Sequence, residues 1–215
     1  AYIYTDDELK RLFDGACTYR KRGPLVNEPR CIRYILMITY MRGLRISETL
    51  SIKIKDIDLE KMYVHIHCCK FYKSRLVTIN EQVSKLMQEI LQWRSTQMYP
   101  MVEDAYVFIN LKGKPVNFVS LHQIFTTIRK NAGLYFPDRG RHQPRIHDLR
   151  HTFAVNVLTN WYKSGKNVQD LLPKLSTYLG HLNVSFTSVY LTKTPTLLQE
   201  ANKLFYAYKN TNNEE

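Results

Sequence analysis

The sequence predicts a mainly α fold with a small antiparallel β-sheet at one edge. Apolar residues recur at the helical period in long stretches near both ends and in the middle of the chain. Three short β-branched or aromatic stretches, Ile52 to Ile57, Met62 to His67 and Arg75 to Ile79, lie close together with turns between them. From Ile146 onward the pattern is almost wholly helical.

Taken in order, Thr5-Asp6-Asp7-Glu8 has the form of a capping box, and Leu9, Leu12, Phe13 and Ala16 follow on one helical face. A basic loop, Arg20 to Pro24, precedes a second helix over about Arg30 to Met41, which stops near Gly43. Leu44 to Leu50 reads as a turn feeding a short helix, with Ser47 as its cap. The three strand-like stretches come next, and Lys70 to Ser74 is the exposed hairpin between the last two. Asn80 caps a helix carrying Val83, Leu86, Met87, Ile90 and Leu91, and another carries Phe118, Leu121, Ile124, Phe125 and Ile128. A loop rich in Gly, Pro and Arg, Asn131 to Pro144, leads into the long helical part, which Lys163 to Lys166 interrupts as a loop. Pro195 opens a last helix bearing Leu198, Ala201, Leu204 and Phe205. Residues 1–209 are expected to form a single domain and 210–215 a disordered tail.

Lys and Arg number 31 against 19 Asp and Glu, a net charge of +12, which favours a polyanionic partner. No apolar run approaches the roughly 18 residues needed to cross a bilayer, and the first residues lack the pattern of a signal peptide, so no membrane partner and a cytoplasmic location are expected. Cys17, Cys31, Cys68 and Cys69 have no paired spacing and are expected as reduced thiols. His65, His67, Cys68 and Cys69 raise the question of zinc. Strand alternation sends Cys68 to the face opposite both histidines, so no metal is expected there.

Attack on a phosphodiester calls for a nucleophile, cations for the non-bridging oxygens, and proton carriers. Gly43-Leu44-Arg45-Ile46-Ser47-Glu48, His147-Asp148-Leu149-Arg150-His151-Thr152-Phe153, and Leu179-Gly180-His181 followed by Tyr190 together supply all of these. In order and separation they resemble the signature boxes of the tyrosine recombinases of the phage-integrase family, and the resemblance runs from about Thr5 to Phe205. It implies the catalytic-domain fold of the DNA breaking-rejoining enzymes, double-stranded DNA as partner, and neither metal nor cofactor. Arg45 then matches the first catalytic arginine, Lys70 the hairpin lysine, His147 and Arg150 the H-x-x-R pair, His181 the histidine of the third box and Tyr190 the nucleophile.

Chemically, two guanidiniums suit the phosphate oxygens of a pentacovalent transition state. His147 is suited to take the phenolic proton, His181 to donate to the phosphate, and Lys70 to protonate the departing 5′ oxygen. Glu48 is expected to support Arg45, while Lys73, Arg75, Arg141 and Arg145 are expected to meet DNA.

Other readings of these residues exist. Arg45 with Glu48 is also what an ordinary surface ion pair looks like. His147 and His151 have the spacing of a metal-binding pair, but they lack a third ligand nearby and adjoin the repelling Arg150. Tyr162, Tyr178 and Tyr206 compete with Tyr190, and Lys73 with Lys70, without the same relation to a signature box. The implied function is site-specific DNA recombination in a prokaryotic cell, by a tetramer on DNA joined through the C-terminal helix, with a monomer when free. The rivals are DNA relaxation of the type IB topoisomerase kind and a non-catalytic DNA-binding protein. The N-terminal clamp domain usual in the family is expected to be absent from this sequence.

Overall fold

The computed structural model describes residues 1–19, 27–67, 74–192 and 197–203. Helix α1 (Asp6–Cys17) starts on the expected capping box, with the Thr5 hydroxyl accepting from Glu8 N–H and the Glu8 carboxylate accepting from Thr5 N–H. Helix α2 (Pro29–Arg42) ends on Gly43 at φ 59°, a left-handed cap that suits glycine and turns the chain sharply toward Arg45. Helix α3 (Ile46–Leu50) begins two positions earlier than expected. Its cap is Arg45 rather than Ser47, because the Glu48 carboxylate accepts from Arg45 N–H at 2.8 Å and so satisfies the first turn.

The sheet has three antiparallel strands in sequence order, β1 (Ile57–Asp58), β2 (Tyr63–Ile66) and β3 (Arg75–Thr78). Half of the strand expected over Ile52 to Ile57 is instead a 3-10 turn, Ile54–Asp56. Asp56 accepts from Lys53 N–H at 2.8 Å and closes that turn, while Lys53 pairs across a short bridge with Tyr106. Register is set by Val64 opposite Val77 and Ile66 opposite Arg75, which puts Val64, Ile66 and Val77 into the core.

Helix α4 (Glu81–Ser95) is capped by Asn80 and α5 (Phe118–Asn131) by Asn117, and the apolar face of α5 is buried except for exposed Phe118. The long connection between them folds back to bury Val107, Phe108 and Ile109. A 3-10 turn, Pro137–Arg139, lies in the loop that leads to α6 (His147–Lys163). The expected break at Lys163 to Lys166 separates α6 from α7 (Val168–Leu179), and α8 (Ser185–Ser188) runs into a 3-10 turn, Val189–Thr192. Residues 197–203 are helical, with Leu197 buried and Leu198, expected on the apolar face, exposed. Pro195, Leu204, Phe205, the tail 210–215 and the hairpin residues Lys70 and Lys73 lie outside the described residues.

Two apolar clusters result. One unites α1 to α5, the sheet and the start of α6, and the other packs α6 against α7 with Tyr190 and Leu197. Their meeting line is where α2, α3, α6 and α7 present their ends to one another. Among the described residues no helix is long and apolar enough to cross a membrane.

Candidate active site

The C-terminus of α7 organises the site. The last carbonyls of a helix have no partner within it and carry the negative end of its dipole. Here three consecutive ones are taken by three arginines from distant segments. Tyr178 O accepts from Arg75 Nε at 2.7 Å, Leu179 O from Arg150 Nη2 at 2.7 Å, and Gly180 O from Arg45 Nη2 at 2.9 Å. Arg150 also donates through Nη1 to Gly43 O at 2.9 Å, so it ties the ends of α2 and α7 together.

Glu48 sits amid these cations. Its two oxygens accept a forked pair from Arg75 at 2.9 Å each, Oε1 also accepts from Arg45 at 2.9 Å, and Arg150 Nη1 stands 3.8 Å from Oε2. Burial pushes its pKa up, but the Arg75 bonds and charge, the Arg45 N–H and the Arg150 charge outweigh that and hold it down at about 2. Three guanidiniums against one carboxylate leave a surplus of positive charge. Burial and the Arg45 charge lower the Arg150 pKa to about 10, which leaves it cationic at neutral pH.

The arginines differ in access. Arg150 is 1% exposed and Arg75 12%, whereas the Arg45 side chain is 30% exposed. Arg75, expected on the DNA-facing surface, is turned inward and its guanidinium is engaged by Glu48 and Tyr178. Gly180, at φ 68°, makes room for it, since a Cβ there would lie 2.9 Å from Arg75 Nη1.

Tyr190 lies in the 3-10 turn after α8 and is 4% exposed, its ring packed into the α6–α7 cluster. Its hydroxyl is 2.9 Å from Nδ1 of His151, one helical turn past His147 on α6. Burial raises the phenol pKa, against the lowering pull of the Arg150 charge and hydrogen bond and of the Arg45 charge. Burial and the neighbouring His147 push the His151 pKa down to about 4, so this ring is neutral at physiological pH. Its Nε2 is 3.9 Å from buried Asp148, a carboxylate that favours the tautomer protonated at Nε2 and leaves Nδ1 an acceptor for the phenol.

His147 is solvent-facing, with its ring edge-on to His151 at 4.7 Å, and desolvation and the Arg150 charge lower its pKa. His181 follows Gly180 directly. Its Nδ1 meets the buried Thr187 hydroxyl at 2.7 Å, and burial with the three arginine charges brings its pKa down to about 4. Arg141 is exposed, and Arg145 keeps a 58% exposed side chain while bonding Asp148 at 3.2 Å.

The structure therefore brings Arg45, Glu48, His147, Arg150, His181 and Tyr190 together, with Lys70 and Lys73 outside the described residues. Sequence reasoning missed His151 at the Tyr190 hydroxyl, Thr187 behind His181, and the inward role of Arg75. The signal for His151 was its spacing of four from His147, which was weighed as a metal pair alone.

The model of the phage integrase family matches residues 3–196. The chain belongs to this family. Among its relatives is the putative integrase/recombinase y4rB of Sinorhizobium fredii, 32% identical over 207 residues that cover 93% of this chain and 64% of that protein. The tyrosine recombinase XerC of Lactobacillus delbrueckii subsp. bulgaricus is 32% identical over 159 residues, 74% of this chain and 49% of that one. The solved structure of the XerH site-specific recombinase bound to palindromic difH substrate, a post-cleavage complex, superposes with a TM-score of 0.67 at 25% identity, over 95% of this chain and 53% of that one. The chain thus spans about two thirds or less of the length of these family members, and its fold is that of the tyrosine recombinases.

Proposed function

We propose that this chain is the catalytic domain of a site-specific tyrosine recombinase, which cuts and rejoins duplex DNA through Tyr190. The observation that carries this reading is the Tyr190 hydroxyl, held 2.9 Å from a neutral His151 beside the cluster of Arg45, Arg75 and Arg150. Tyr190 oxygen attacks the scissile phosphorus, the bond from phosphorus to the 5′ oxygen breaks, and a 3′-phosphotyrosine and a 5′-hydroxyl result. The phenolic proton passes to His151 Nδ1, a role the sequence had given to His147. Lys70 supplies a proton to the leaving oxygen. Arg45 is the guanidinium with the access to meet the non-bridging oxygens, and Arg150 adds its charge from beneath. With Nδ1 accepting from Thr187, His181 is left to donate from Nε2. Because phosphoryl-bond energy is kept in the phosphotyrosine, rejoining by a second 5′-hydroxyl is the same chemistry reversed.

Tyr190 is covered in the free protein, so the turn Val189–Thr192 shifts outward when DNA is engaged. Lys73, Arg141 and Arg145 extend the basic surface along the duplex. Leu182, Val184, Phe186 and Val189, exposed on and beside α8, are the apolar face for a neighbouring copy in a DNA-bound tetramer.

The test is covalent adduct formation on a nicked duplex. Tyr190→Phe should give no adduct while binding DNA as before, and His151→Gln should slow the adduct more than His147→Gln. A persistent adduct in Tyr190→Phe sinks the nucleophile, and the reverse order of the histidines returns the proton acceptor to His147.

A further inference from the structure

We infer that Asp56, His65 and His67 form a binding site for a divalent transition metal, with zinc as its best-matched occupant. The two histidines alternate onto one face of β2 and its end, and their rings lie 4.1 Å apart, centroid to centroid. What the sequence could not supply was a third ligand on that face, since Cys68 alternates away from it. The 3-10 turn Ile54–Asp56 delivers one from a separate segment. The Asp56 carboxylate is 3% exposed, and its Oδ1 stands 2.8 Å from His67 Nε2.

Its other oxygen accepts from Lys53 N–H at 2.8 Å, so the carboxylate is oriented by backbone, as metal-ligating carboxylates usually are. One ligand atom from each of the three residues falls within 4.8 Å of the others. Ligands at zinc bond lengths would sit about 3.3 Å apart around a tetrahedron, so a small rotation of the side chains closes the set. Two imidazole nitrogens and one carboxylate oxygen suit zinc and leave a fourth position for water. The His67 side chain is 51% exposed, which gives the ion a way in.

A plain hydrogen bond between His67 and Asp56 accounts for two of these residues but not for the convergence of His65 on the same point. Bound metal would fasten the 3-10 turn to β2. Ile66, between the two histidines, is paired with Arg75 of the Glu48 cluster, and residues 68–73 follow His67 directly in sequence. The site would therefore brace the strand from which the hairpin lysine's segment departs. This inference does not depend on the recombinase reading.

The experiment is calorimetric titration of zinc chloride into the whole chain, tag-free and previously stripped with chelator, together with thermal unfolding with and without zinc. One zinc per chain and a raised Tm are expected. His65→Ala, His67→Ala and Asp56→Asn should each weaken binding at least about tenfold and remove the rise in Tm. Asparagine keeps the acceptor for Lys53 N–H and His67 is half exposed, so circular dichroism should show these variants folded. Exposed His122→Ala and the pair Cys68→Ser with Cys69→Ser should leave binding unchanged. Absence of zinc binding overturns the proposal. So does binding that survives the three ligand variants, or binding that is lost in the cysteine pair with a thiolate charge-transfer band in the cobalt-substituted protein.

Discussion

The site's ionisable groups are shifted far enough by their neighbours to leave a mark on stability. His151 and His181 have folded pKa values lowered to about 4 from 6.5, so the unfolded chain binds protons that the folded one refuses. Their contribution is present above pH 6.5 and is lost as pH falls toward 4. Glu48, lowered from 4.5 to about 2, contributes stability above pH 4.5 that disappears as pH falls through its folded pKa. The Tm of the DNA-free protein should therefore fall in two overlapping stages on acidification. A variant carrying His151→Gln and His181→Gln should shrink the upper stage, to which His147 also contributes, and keep the lower, measured by thermal unfolding across that range. An unchanged upper stage in that variant would show that other groups dominate it. For His151 the same neutrality is what the proposed mechanism needs, since a base already protonated could not take the phenol's proton.

At the scale of elements, the site is made from ends rather than faces. The C-terminus of α7 offers three carbonyls and leads into His181, that of α2 offers Gly43 O, the first turn of α3 supplies Glu48, and the first two turns of α6 supply His147 and His151. Helix ends carry unpaired polar groups that must be satisfied somewhere, and here arginines do so while keeping their charge. Gly180 is the pivot of this arrangement. Gly180→Ala places a Cβ against Arg75 in addition to straining a left-handed residue, whereas Gly165→Ala, at φ 64°, meets nothing within 4 Å. The strain alone costs roughly 1–2 kcal/mol. Gly180→Ala should therefore lower Tm more than Gly165→Ala and slow adduct formation, while Gly165→Ala leaves the adduct rate intact. Equal effects of the two would mean that the contact between Arg75 and the α7 terminus is dispensable.

For the molecule as a whole, the +12 charge sets how it meets a polyanion. Each neutralised phosphate contributes about −0.9 to the slope of log affinity against log salt, so four contacts weaken binding about a hundredfold between roughly 50 and 200 mM salt. Titration of a fluorescent duplex over that range should show this loss. Arg141→Ala should reduce the slope by about one, with little dependence on duplex sequence. Binding that ignores salt would argue against the phosphate contacts that the proposed function requires.

The sequence by itself determined the helical periods, the capping box at Thr5, the Asn80 cap, the stop at Gly43 and the charge, because each depends on neighbours within a few positions. The motif residues Arg45, His147, Arg150, His181 and Tyr190 were legible for a different reason, their joint occurrence in a known order. Tertiary structure alone decided the rest. Whether Ile52 to Ile57 makes a strand or a 3-10 turn depends on Asp56 capping Lys53 and on Tyr106 arriving from a distant segment. That Arg75 faces Glu48 rather than solvent depends on the end of α7 lying across β3, and that His151 rather than His147 meets Tyr190 depends on how the turn after α8 seats against α6. Apart from the Asp56 cap on Lys53, three positions away, these outcomes arise from contacts between residues 27 to 103 positions apart, which no local spacing encodes.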